Sequence, residues 1–160
     1  LDYYRSKGGD EWQQDRFRLH IRAAKACAKP LIIHCREAIS DVLVILKEEG
    51  ARDVGGVFHC FTEDWESAKR VFDMGFLVSF SGIVTYANTQ DLQEVARKTP
   101  LESMLIETDS PYLAPHPYRG RENQPAYVKY VAETIAGLRG CSLSKIAEAT
   151  TTNYFRLFHP

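Results

Sequence analysis

Pro30-Leu31-Ile32-Ile33-His34-Cys35-Arg36 opens on a helix breaker, runs through three branched aliphatic residues and closes on groups that bind ions. A short, unbroken apolar run bounded in this way predicts a strand covered on at least one face, of the kind parallel sheets contain. The pattern recurs. Gly56-Val57-Phe58-His59-Cys60-Phe61 ends in a second histidine, and Met104-Leu105-Ile106-Glu107-Thr108-Asp109 ends in two carboxylates. Residues 76–80 form one more apolar run, followed by Ser81 and Gly82.

Helical spacing fills the gaps. Ile39, Val42, Leu43 and Leu46 mark one face of a helix over 37–49, stopped by Gly50. Further helices are predicted over 64–74, stopped by Gly75, and over 89–98, closed by Pro100. Asp10-Glu11-Trp12-Gln13 reads as a capping box ahead of Phe17, Ile21, Ala24 and Ala28 at helical intervals. A long stretch over 110–125 carries four prolines, and helices over about 126–138 and 142–158 follow it. Strands alternating with helices predict one α/β domain with a parallel sheet. Both (β/α)8 barrels and open α/β sheets place their chemistry at the carboxyl ends of such strands.

Side chains alternate along a strand, so His34 shares a face with Ile32 and Arg36 while Cys35 points the other way. The same parity sets His59 against Cys60. The two cysteines are therefore expected to pack as small hydrophobes, and the histidines to face one centre with Glu107 and Asp109. Neutral imidazole with carboxylate suits zinc, manganese or iron, and carboxylate-rich sites admit magnesium. Three polar groups buried at three strand ends each need a partner, and a shared cation satisfies all of them. The pattern points to a metal-assisted hydrolase. Ser79, Ser81 and Gly82 leave room beside such a centre. Arg36 lies one pleat beyond His34, where a guanidinium can meet an anion. Tyr112, Tyr118, Arg119, Arg121 and Asn123 interleave aromatic and hydrogen-bonding groups in the proline-rich stretch, a mixture suited to phosphate and base contacts.

The formal net charge of −1 over 160 residues supplies no global pull towards nucleic acid, so phosphate recognition must be local. The four cysteines, Cys27, Cys35, Cys60 and Cys141, show no CxxC spacing and read as reduced thiols, consistent with a cytoplasmic protein. No apolar run approaches the ~20 residues of a membrane span.

His34-Cys35-Arg36-Glu37-Ala38, Gly56-Val57-Phe58-His59-Cys60-Phe61 and Glu107-Thr108-Asp109-Ser110-Pro111-Tyr112-Leu113-Ala114-Pro115, followed by Arg119-Gly120-Arg121-Glu122-Asn123-Gln124-Pro125, resemble the TatD family of metal-dependent deoxyribonucleases. The resemblance runs the length of the chain. It implies a (β/α)8 TIM barrel of the amidohydrolase-like type, of which residues 1–160 supply the C-terminal part of a single domain, strands 5 to 8 with their helices. Leu1-Asp2-Tyr3-Tyr4 would end the fourth strand, and Asn153-Tyr154-Phe155-Arg156-Leu157-Phe158 would close the last helix. It implies one or two divalent ions (Mg2+, Mn2+ or Zn2+), DNA as substrate and phosphodiester hydrolysis, read as exonucleolytic. His34, His59 and Asp109 would be metal ligands, with Asp109 also handling a proton of the attacking water. Arg36, Tyr112, Arg119 and Asn123 would lie on the substrate side or support the site.

The family's His-x-His and its Glu ligand ahead of Leu-Asp-Tyr-Tyr fall outside this sequence, and Glu63 stands where the family often has Gly. The missing N-terminal half of the barrel is thus expected in the intact protein, and the isolated chain is expected to be inactive. A half-barrel is also expected to expose two strand edges and an apolar inner face. Two other readings fit the residues: an amidohydrolase-type enzyme acting on an ester or amide, and a non-catalytic half-barrel serving as a binding or assembly module.

Overall fold

The computed structural model describes residues 1–6 and 10–159. Four short strands, β1 (Leu31–Ile33), β2 (Gly56–Phe58), β3 (Leu77–Phe80) and β4 (Met104–Ile106), lie in chain order in one sheet. All three pairings are parallel, with Ile33 opposite Phe58, Phe58 opposite Val78 and Phe80 opposite Ile106. Helix α1 (Glu11–Cys27) precedes β1, and α2 (Ile39–Glu48), α3 (Trp65–Asp73) and α4 (Gln90–Lys98) connect successive strands. Two helices, α5 (Val128–Arg139) and α6 (Leu143–Phe158), follow β4.

The sheet is more than its four named strands. Asp2 forms a parallel bridge with Arg36. The Tyr3 N–H donates to the Arg36 carbonyl and the Arg36 N–H to the Leu1 carbonyl, both at 3.0 Å. Leu1 to Tyr3 therefore runs beside the carboxyl end of β1 as a further strand end would. At the opposite end, β2 approaches β1 so closely that a Cβ on Gly56 would stand 2.3 Å from the Leu31 carbonyl oxygen. Only glycine fits there.

One face of the sheet carries the main core. Ile33, Phe58, Val78, Phe80 and Met104 are almost wholly buried against Val42, Leu46, Val71, Val95 and Ile135 of the helical layer. Burial of each such side chain is worth about 1.5–3 kcal/mol. The other face is only partly open, contrary to the bare inner face expected of half a barrel. Val57, Leu77 and Leu105 are buried against Leu157 and Phe158 at the end of α6, whereas Ile32 of β1 is 66% exposed. A groove of about 610 Å³ runs between this face and α6, apolar for most of its length and ending at His59 and Glu107.

Two local expectations fail for identifiable reasons. Asp10 does precede α1, but its backbone is already helical and its side chain caps nothing. Gln13 instead turns outward to Asp2: its Oε1 accepts from the Asp2 N–H at 2.9 Å and its Nε2 donates to the Asp2 carbonyl at 3.1 Å. A long-range contact has overridden a local one. The second failure is at Cys60, whose left-handed φ of 48° ends the strand alternation after Phe58. Its thiol meets the Ser81 hydroxyl at 3.2 Å instead of joining the helical core. Cys35 does pack against the core, as parity predicts. The 64–74 and 142–158 helices begin on working caps, with Asp64 accepting from the Ser67 N–H and Ser142 from the Lys145 N–H. All four cysteines are free thiols. Among the described residues, no helix is long and apolar enough to cross a membrane.

Candidate metal centre

Where β1 and β2 end, His34 and His59 project from adjacent strands on the same face. Their rings meet with Nδ1 of His34 3.1 Å from Nε2 of His59, centroids 5.4 Å apart. Each ring is backed by a carboxylate. Nε2 of His34 lies 3.1 Å from Asp2 Oδ2, and Nδ1 of His59 lies 3.3 Å from Glu107 Oε1. The result is one continuous row: Asp2, His34, His59, Glu107. Glu107 owes its place to β4, since its N–H still donates to the Phe80 carbonyl at 3.0 Å, and its Oε1 also accepts from the Cys60 N–H. Asp2 owes its place to the bridge with Arg36 and to Gln13. The sequence places Glu107 at the same centre without giving it a ligand role, whereas Asp2 is not among its candidates. The signal for Glu107 was its position one residue past β4, but nothing local marks Asp2.

Charge follows geometry. The hydrogen bond to Glu107 raises His59 above the ordinary imidazole value, the negative charges of Glu107 and Asp109 add to it, and burial opposes them. Burial works against ionisation of Asp2, but the Arg5 N–H and the His34 ring outweigh it and hold the carboxyl below its usual value. Burial pushes both Cys35 and Cys60 up to about 11, which keeps them as neutral thiols. A raised His59 stabilises the metal-free fold fully below the unfolded value of 6.5 and ceases to do so as pH rises through the folded value. The urea midpoint of the metal-free chain is therefore expected to fall as pH rises from 6.5. His59→Gln should flatten that decline, and an unchanged slope in the variant would assign it to other groups.

Asp109 stands at the start of the long loop in a left-handed conformation, φ 58°, with its carbonyl accepting from the Tyr112 N–H at 2.9 Å. It is near enough to act on His59 by charge, but among the described residues its carboxylate takes no hydrogen bond. Asn123 is the loop's organiser. Only 4% exposed, its amide donates to the Thr108 and Tyr112 carbonyls at 2.8 and 2.6 Å, while its Oδ1 accepts from the Gln124 N–H. It thus ties the segment that follows Asp109 to the end of the loop. The Arg36 and Arg119 guanidiniums sit over aromatic rings, Arg36 over Tyr4 at 3.7 Å and Arg119 over Tyr86 at 4.2 Å. Tyr112 is 70% exposed. Tyr118 is instead occupied in the protein, stacked on Tyr127 at 4.2 Å.

The donor chemistry of the His34–His59 pair fits a divalent ion. Two nitrogens each ~2.0–2.1 Å from one tetrahedral ion lie about 3.4 Å apart, close to the 3.1 Å found here. The number of donors falls short: among the described residues, no three His, Cys, Asp or Glu side chains already surround one point.

A parallel sheet with imidazoles and carboxylates gathered at its carboxyl end is the signature of a metal-using α/β protein. The family model described as TatD related DNase matches residues 1–159, and the chain belongs to that family. Escherichia coli K12 YcfH, named an uncharacterized metal-dependent hydrolase, is 52% identical over 159 residues, which cover 99% of this chain and 60% of YcfH. Bacillus subtilis YabD, with the same description, is 49% identical over 158 residues, covering 99% of this chain and 62% of YabD. Among solved structures, YjjV, a TatD homologue from Escherichia coli K12, superposes with a TM-score of 0.91 at 29% identity, over all of this chain and 61% of YjjV. A TatD family hydrolase from Entamoeba histolytica, at 22% identity and a TM-score of 0.89, shares the fold over 100% of this chain and 61% of its own. The chain spans about three fifths of the length of these relatives.

Proposed function

We propose that this protein is a metal-dependent hydrolase that cleaves DNA phosphodiester bonds, read as exonucleolytic, and that residues 1–160 are the C-terminal part of its (β/α)8 barrel. The observation that carries this reading is the 3.1 Å approach of His34 Nδ1 to His59 Nε2 at the carboxyl end of a parallel sheet. In this reading His34, His59 and Asp109 hold one or two divalent ions, Mg2+, Mn2+ or Zn2+, with further ligands from the portion of the family fold that the relatives possess beyond this chain. That portion would close on the groove beside α6, where Ile32 stands exposed. A divalent ion there supplies positive charge for a developing phosphorane and lowers the pKa of water.

The chain's own groups do the rest. Asp109, whose carboxylate takes no hydrogen bond among the described residues, accepts a proton from the attacking water. Arg36 and Arg119 meet phosphate oxygens; their contacts with the Tyr4 and Tyr86 rings hold the guanidiniums in place before substrate arrives, which cuts the ordering cost of the contact. Tyr112 offers an exposed ring on which a base can stack. Asn123 acts at one remove by holding the loop that carries Asp109 and Tyr112. The reading also takes the protein as cytoplasmic.

The test is turnover of single-stranded DNA and of a simple carboxylic ester, each with Mg2+ or Mn2+ and with EDTA, by residues 1–160 and by the chain extended to family length. Extended protein should degrade DNA, lose activity in EDTA and lose at least about 10²-fold with His59→Ala, on the scale of removing a group that stabilises transition-state charge. Residues 1–160 alone should be inactive. Cleavage of the ester with DNA left intact would overturn the nuclease reading in favour of an ester- or amide-directed hydrolase. DNA binding without hydrolysis in any metal would favour a binding module.

A further inference from the structure

The carboxylates behind the two histidines face different ring nitrogens, Nε2 of His34 and Nδ1 of His59, and this determines which nitrogen of each ring carries the proton. Asp2 divides its oxygens: Oδ1 accepts from the Arg5 N–H at 3.0 Å, and Oδ2 faces Nε2 of His34. Glu107 uses a single oxygen twice, Oε1 accepting from the Cys60 N–H and facing Nδ1 of His59. A carboxylate has no proton to give, so each imidazole must donate to it. His34 is thereby fixed as the Nε2–H form and His59 as the Nδ1–H form, which leaves His34 Nδ1 and His59 Nε2 as lone pairs pointing at each other. Two lone pairs 3.1 Å apart repel unless a positive charge lies between them.

We propose that Asp2 and Glu107 are positioning residues that impose opposite tautomers on His34 and His59 and so aim one nitrogen of each ring at a shared cation. The proposal rests on the metal-centre reading above, but its first readout is independent of metal and of catalysis. Gln13, which grips the Asp2 backbone from both sides, is the scaffold that keeps Asp2 in register with His34.

The shared and divided attachments predict unequal responses to amide substitution. In Asp2→Asn, the Arg5 N–H holds the amide oxygen, so the NH2 group faces His34 and must donate to Nε2. His34 then carries its proton on Nδ1, the nitrogen aimed at the cation. In Glu107→Gln, the Cys60 N–H and the His59 Nδ1–H both call for the same oxygen, so the amide turns its oxygen inward and His59 is unchanged. Glu107→Ala removes that anchor and releases His59 to mix tautomers.

The experiment is 15N NMR of the histidine side chains in the metal-free 160-residue chain at about pH 9, above the ordinary imidazole range, followed by titration with Zn2+ read on the same signals. The wild type should show Nε2–H on His34 and Nδ1–H on His59. Asp2→Asn should reverse His34 and weaken Zn2+ binding by about 10- to 100-fold, the usual cost of losing a partner behind a metal-binding histidine. Glu107→Gln should leave the tautomers of His34 and His59 unchanged, a control for folding. A wild-type His34 protonated on Nδ1, or an Asp2→Asn protein with the wild-type tautomer, would overturn the assignment. Equal Zn2+ affinity in wild type and Asp2→Asn would overturn the positioning role while leaving the metal reading intact. Tautomers as described in a chain that binds no Zn2+ would support the assignment and count against the metal reading instead.

Discussion

Phe58→Ala is expected to lower the stability of the chain by about 3–5 kcal/mol, the cost of emptying a fully packed aromatic site. Phe58 is 1% exposed, sits between Ile33 and Val78 in the sheet, and meets Phe76 edge-on at 6.0 Å and 81°. Where the surrounding side chains do not collapse, a cavity persists and its lining loses dispersion on one side. For a domain of this size the thermal midpoint should drop by roughly 10 °C. The substitution also loosens the end of β2 that carries His59, so any metal-induced stabilisation should shrink with it. Thermal melts followed by circular dichroism, with and without Zn2+, measure both effects. A loss below about 1 kcal/mol would mean that the core closes over the gap, and Phe58 would not be the keystone that its burial suggests.

Gly82→Ala is expected to cost about 3 kcal/mol by overpacking and to disturb the metal centre as well. A Cβ at Gly82 would stand 1.9 Å from the Leu113 carbonyl oxygen and 3.0 Å from the Pro115 nitrogen. Both obstacles are backbone atoms, so no side-chain rotation relieves the clash. The loop that runs from Asp109 past Asn123 must move away from the end of β3, which separates Asp109 from His59. Gly137 is the control: it lies within α5 with open space where a Cβ would go. There, alanine should stabilise by about 0.5–1 kcal/mol through helix propensity alone. Chemical denaturation of the two variants beside the wild type checks the contrast. Equal effects at Gly82 and Gly137 would show that the loop yields freely and does not lean on β3.

The elements were legible in the residues because each obeys a local rule. The apolar runs at Leu31, Gly56 and Met104 became strands, and Gly50, Gly75 and Pro100 ended helices near where they stand. Boundaries moved by a residue or two where a turn intervened, as at Pro125–Tyr127, a tight turn that delays α5 to Val128. The prominence of His34 and His59 was also local, since each is the first polar residue after an apolar strand. Asp2 had no such mark. Its partner is 32 residues away, and its place depends on Gln13, whose own role the local capping pattern had assigned elsewhere.

The sequence by itself determined that the chain is an α/β protein with a parallel sheet, which strand ends carry imidazole and carboxylate, and which loop follows them. Those features arise from side-chain periodicity and backbone chemistry within a few residues. The tertiary structure alone decided that Asp2 and Glu107 stand behind the histidines, that Asn123 braces the loop from inside, that Cys60 turns towards Ser81, and that α6 covers part of the inner face. Each of these depends on a contact between segments distant in the chain, where register and backbone handedness, invisible to any local pattern, set which atoms meet.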